Sequence, residues 1–185
     1  MFFGSLESQQ WQPVRHWKPE DVRISRDAAS VLTITGSLTR LLERRHGMRL
    51  EVRLHDQYID IVHSEESGML GSETGSPALR RQVSLMHRGS VMFDAESVLP
   101  LDGLPADLMQ QLQEGKRPLG NLLLDRGLSL ARSDLSVTQL NVDNDYNGRW
   151  ARRSVLRSES ETRALVVEVF HPLIWQRIEG ASRRY

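Results

Sequence analysis

Residues Trp150–Pro172 read WARRSVLRSESETRALVVEVFHP. Two β-branched, alternating runs flank a polar turn, the pattern of an antiparallel hairpin. The second run, ALVVEVF (164–170), carries one charge, Glu168, among six apolar residues. A carboxylate placed there loses its hydration and needs a cation, a donor or a ligand in return. Side chains alternate along a strand. Glu168 therefore shares a face with Val166 and Phe170, while Leu165, Val167 and Val169 fill the other.

The run LRRQVSLM (79–86) repeats the anomaly. Leu79, Arg81, Val83 and Leu85 lie on one face; Arg80, Gln82, Ser84 and Met86 lie on the other. Arg81 thus projects among apolar residues and Arg80 among polar ones. Two opposite charges on different strands point into apolar surroundings. They either form a buried Arg81–Glu168 ion pair, whose desolvation can cancel its attraction, or stand at opposite ends of a pocket for a small flat ligand. An arginine fork matches the two oxygens of a planar carboxylate.

The remaining chain supplies the frame. Ser37 caps a helix with Leu38, Leu41 and Leu42 at helical spacing, and Gly47 stops it. MRLEVRL (48–54) and YIDIV (58–62) read as two strands separated by a short polar turn. SEESGMLGSETGSP (64–77) reads as a long loop. Residues 79–100 form two strands joined near His87–Ser90. LPADLMQQLQEG (104–115) and RPLGNLLLD (117–125) are short helices, Pro118 standing at a permitted first-turn position. LSLARSDLSVTQL (128–140) is a further strand. The pattern predicts an α+β single domain over 1–185, an antiparallel sheet of about six strands with helices on one side covering a buried pocket. Residues 1–20 and 173–185 are expected to be irregular tails.

The 185 residues suffice for one domain with a real core. Basic and acidic residues balance at 24 each, which argues against a nucleic-acid partner held by phosphate attraction. Cysteine is absent, excluding disulfides, thiolate nucleophiles and Cys-based zinc sites. The six histidines show no metal-ligand spacing, and His171, beside Phe170 and Pro172, is expected to be structural. The start MFFGSLESQQW lacks the features of a secretory signal, and no run of 18 apolar residues exists to span a membrane. A cytoplasmic monomer is expected.

The segments GSLTRLLERRHG, LRRQVSL followed by AESVLP, RPLGNLLL, WARRSVLR and LVVEVFHP resemble, in order and spacing, the chorismate pyruvate-lyase family. The likeness runs from about residue 22 to 172. It implies an antiparallel α+β fold with helical flaps over a buried aromatic acid. It also implies conversion of chorismate to 4-hydroxybenzoate and pyruvate without a cofactor, at the start of ubiquinone synthesis. By position, the family's ligand-binding arginine falls on Arg81 and its glutamate on Glu168, the pair that alternation marks. Two further contact positions fall on Leu38 and Leu119. In this assignment Arg81 takes the ring carboxylate and Glu168 the hydroxyl end. Glu168 also serves as base, with a pKa expected to be raised by burial. Trp150, Arg152 and Ser154 share one face and Arg153 the other, both arginines being expected in an exposed or sheet-spanning charge row rather than in catalysis. Glu96 stands where family members carry an arginine at the pocket mouth, and is expected to repel a dianion there. Arg80, Lys116 and Arg117 are the cations available for a second carboxylate. The alternative is a binding module, since the fold also resembles effector-sensing domains of bacterial regulators. Those carry a DNA-binding domain for which the N-terminal stretch here is too short.

Overall fold

The computed structural model describes residue 3 and residues 6–125, 131–158 and 162–182. Seven strands form one antiparallel sheet among these residues: β1 (Gln12–Pro13), β2 (Glu51–Ile61), β3 (Pro77–His87), β4 (Ser90–Pro100), β5 (Ala131–Gln139), β6 (Trp150–Arg157) and β7 (Arg163–Phe170). Their spatial order is β1-β5-β6-β7-β4-β3-β2. The β6–β7 hairpin thus lies at the sheet centre, where its apolar runs are covered on both faces. β3 and β4 are joined by Arg88–Gly89, both at positive φ (49° and 77°), the backbone of a tight hairpin turn whose twist suits the flanking strands.

Six α-helices accompany the sheet: α1 (Arg26–Thr33), α2 (Leu38–His46), α3 (Ser64–Leu70), α4 (Ala106–Gln113), α5 (Leu119–Asp125) and α6 (Pro172–Ser182). Ser37 Oγ accepts from Arg40 N at the start of α2. Gly47 ends that helix in the left-handed region at φ 62°, a conformation that favours glycine. One sheet face is covered by α1, α2 and α6 over Val83, Leu85, Phe93 and Phe170, and by α4 and α5 over Leu79, Leu99, Leu156 and Val166. No helix among the described residues is long and apolar enough to cross a membrane.

Five expectations change. The stretch 1–20 is not wholly irregular: Gln12–Pro13 pair with β5 and Trp17 joins the core. Residues 48–62 do not form two strands: β2 runs without a break, and the polar His55–Gln57 segment is absorbed by a bulge between Leu54 and Asp56 on an exposed edge strand. The expected loop 64–77 begins with α3, whose start is fixed by Glu66 Oε2 accepting from His63 N at 2.9 Å. The helices are not all on one side, because α3 buries Leu70 against Val98, Val155 and Leu165 on the opposite face. The expected tail 173–185 is helical through Ser182, with Ile174 and Ile178 wholly buried against the sheet. Leu128–Leu130 of the predicted strand lie outside the described residues, as do residues 183–185.

Candidate active site

Cross-strand register sets the position of each buried charge. Val83, Ala95, Glu168, Arg152 and Val137 form one row across β3, β4, β7, β6 and β5. Arg81 stands in the next row, opposite Ser97 and Val166. Arg81 and Glu168 are therefore two strands apart and offset by two residues, a separation of about 12 Å between backbones. Both project to the face beneath α2 and α5.

A cavity of about 60 Å³ lies there. Its floor is Arg81, Val83, Ala95 and Glu168, with Arg132 at one side and Leu38 and Leu119 in the roof. All four residues singled out in the sequence, Leu38, Arg81, Leu119 and Glu168, border this one space. The roof helices are tied to each other by Thr39 Oγ1, which donates to Asn121 Oδ1 at 2.9 Å. The cavity has room for only a few waters, so even a single-ring ligand must lift the roof.

Of the two alternatives for these charges, the Arg81–Glu168 ion pair does not form. Glu168, 5% exposed, receives Arg152 Nε and Nη2, and Arg132 Nη2 lies 3.5 Å from its Oε1. Burial alone would raise the Glu168 pKa, but the neighbouring Arg152 and Arg132 guanidiniums outweigh it and hold the carboxyl below its ordinary value. The expected raised pKa is thus overturned: Glu168 is an ionised acceptor and a weak base. Arg152 is likewise no member of an exposed charge row. It is wholly buried, and its Nη1 donates to Val31 O at 3.1 Å and Ile34 O at 3.2 Å, pinning the end of α1.

Arg81 is the opposite case. It is 2% exposed, its Nη2 donates to the Arg117 carbonyl at 3.3 Å, and its Nε finds no acceptor among the described residues. No carboxylate among the described residues pairs with it. Burial pushes its pKa down to about 10, still far above neutrality, so the charge persists. A buried cation with an unsatisfied fork, opening on an apolar cavity, is a receptor for an anion.

The other predicted charges lie elsewhere. Arg80 is on the opposite face, held by Glu66 and Asp60. Arg117 is half exposed and pairs with Asp125, and Lys116 is exposed. Glu96 is not at the cavity mouth: it sits on the opposite face beside Gln82, whose Nε2 donates to its Oε1 at 3.3 Å. Asp94 shares that face, where His171 Nε2 lies 2.6 Å and Tyr146 Oη 2.7 Å from its Oδ2, giving His171 the structural part expected of it. Arg132 was not anticipated as a site residue. A bulge between Ser133 and Ser136, with Asp134 at φ 54°, breaks the alternation of β5 and hides its direction.

The family model for chorismate lyase matches residues 7–179. A probable chorismate pyruvate-lyase of Pseudomonas putida is 31% identical over 178 residues, covering 89% of this chain and 94% of that protein. A protein of the same description from Coxiella burnetii is 29% identical, covering 79% of this chain and 83% of that protein. Among solved structures, PhnF from Mycobacterium smegmatis superposes with a TM-score of 0.62 at 15% identity, over 76% of this chain and 65% of that one. Its effector domain gives 0.61 at 16%, over 75% and 90%. These two likenesses concern the fold alone. The match across nearly the whole chain places this protein in the chorismate lyase family.

Proposed function

We propose that this protein is a chorismate lyase, releasing pyruvate from chorismate to leave 4-hydroxybenzoate. The observation that carries the reading is Arg81, a buried cation without a counter-ion among the described residues, in the cavity that also holds Glu168. 4-Hydroxybenzoate has an anionic end and a hydroxyl donor across a flat apolar ring, and the cavity offers a cation and an ionised acceptor across apolar walls. Leu38 and Leu119 close over the ring.

In chorismate the hydroxyl and the enolpyruvyl ether are on adjacent ring carbons. Glu168, accepting the hydroxyl, lies beside the carbon whose proton must leave, and it is the one carboxylate among the described residues lining the cavity. It takes that proton, the released pair forms the new ring double bond, and the ether bond breaks with its electrons going to the departing oxygen. Glu168 is a weak base, but aromatisation makes the step downhill, so orientation and charge placement carry most of the catalysis. The roof excludes water once it closes. On this reading the protein is a cytoplasmic monomer needing no cofactor, and its product feeds ubiquinone synthesis.

Mixing the protein with chorismate and quantifying both products tests the proposal. Equal amounts of pyruvate and 4-hydroxybenzoate are expected. Tight binding of 4-hydroxybenzoate with no pyruvate formed would instead make the chain a binding module for aromatic acids.

A further inference from the structure

Chorismate carries two carboxylates, and Arg81 accounts for one. The cations named in the sequence for the other are excluded by position: Arg80 is consumed on the far face, Arg117 is paired with Asp125, and Lys116 is exposed. Two arginines flank Glu168, and they are not equivalent. Arg152 is wholly buried behind the carboxylate, donates to Glu168 and to the end of α1, and does not line the cavity. Arg132 borders the cavity itself.

We propose that Arg132 is the second anion-binding residue, gripping the enolpyruvyl carboxylate and stabilising the charge that develops on the departing ether oxygen. This rests on the lyase reading and deepens it. The chemistry fixes the placement. The ether is on the carbon next to the hydroxyl-bearing one, so a group beside Glu168 is beside the leaving group, and Arg132 Nη2 is 3.5 Å from Glu168 Oε1. The guanidinium is oriented in advance: Nε donates to Gly36 O at 3.1 Å and Nη1 to Ser154 Oγ at 2.8 Å. The β5 bulge with Asp134 in the left-handed region re-aims this side chain toward the cavity. Charge counting agrees. Arg81, Arg132 and Arg152 against Glu168 leave two positive charges in excess, which a dianion cancels and a monoanion does not.

In the balanced step, Glu168 takes the ring proton, the C–H electrons enter the ring, and the C–O electrons leave on enolpyruvate. That oxygen's charge falls to Arg132, and enolpyruvate becomes pyruvate by taking up a proton at carbon. After cleavage only Arg81 and Glu168 still hold the ring product. Arg132 therefore distinguishes substrate from product.

The test compares two unreactive ligands by calorimetry: 4-hydroxybenzoate, and 3-(carboxymethoxy)-4-hydroxybenzoate, which adds a carboxylate where the enolpyruvyl group stands. Wild type should prefer the dianion by about tenfold or more, the worth of a charge-assisted contact. Arg132→Met should erase that preference while keeping 4-hydroxybenzoate affinity within about threefold, and should lower kcat for chorismate about a hundredfold or more. Arg132→Lys, which keeps the charge but not the fork, should fold and retain part of both the preference and the rate. Equal wild-type affinity for the two ligands overturns the proposal without need of any variant. So does a variant that loses both ligands equally, the signature of a residue that only supports Glu168. Wild type that binds neither ligand would overturn the lyase reading itself.

Discussion

Arg81→Met should make the ligand-free protein more stable while removing its ability to bind an aromatic acid. Burial without a counter-ion pushes the Arg81 pKa down to about 10, and that displacement corresponds to about 3 kcal/mol held against the charged form. Methionine fills similar space with no charge to desolvate. It forfeits the single long hydrogen bond to the Arg117 carbonyl, worth about 1 kcal/mol. The net gain is about 2 kcal/mol, or about 4–8 °C in Tm for a chain of this size. The ligand is affected in the opposite sense. A carboxylate entering this cavity would be buried unpaired, at a cost of about 3–5 kcal/mol, a loss of about a hundredfold to a thousandfold in affinity or more. Thermal unfolding without ligand and calorimetry with 4-hydroxybenzoate read the two effects separately. A variant that melts several degrees lower yet binds 4-hydroxybenzoate within about threefold of wild type would make Arg81 a structural residue and refute the reasoning.

Other groups give distinct signatures. Arg152→Met strands Glu168 and should cost about 3–5 kcal/mol in urea unfolding, toward the lower end because Arg132 remains nearby; adding Glu168→Leu should recover most of it. Glu168 has a folded pKa below its ordinary value of 4.5, so its contribution to stability is complete above that pH and is lost as pH falls through the lower folded value. Accordingly the acid limb of kcat/KM should lie below pH 4.5, and a limb near pH 6 would show that its pKa is raised after all. Glu96→Arg, on the face away from the cavity, should leave kcat/KM for chorismate unchanged even at low ionic strength; a several-fold rise would place Glu96 on the substrate's path.

Much of this site was legible because a strand's alternation is local. Arg81 and Glu168 stand out as charges on apolar faces whatever their partners, Leu38 begins a helix capped by Ser37, and Leu119 begins one directly after Pro118. Partnership was not legible, because it depends on register between strands. A plain hairpin about Arg88–Gly89 would set Arg81 opposite Glu96, but the bulge at Met92 shifts the pairing by one residue and sets it opposite Ser97. Glu96 is thereby turned to the other face. Arg152 shared a face with Trp150 and Ser154 in the sequence, yet nothing local placed Glu168 directly across from it. Arg132 was hidden by the β5 bulge. Two misread segments did carry signals. His63 and Glu66 have capping-box spacing for α3, outweighed by the glycines and serines around them. Pro172 followed by Ile174 and Ile178 has the first-turn proline and four-residue spacing of α6.

The most direct test of the central claim is a crystal structure of the protein with 4-hydroxybenzoate. The account predicts the ligand beneath Leu38 and Leu119, its carboxylate on the Arg81 fork and its hydroxyl within hydrogen-bond distance of Glu168. A ligand bound outside this cavity, or turned so that its hydroxyl meets Arg81, would contradict it.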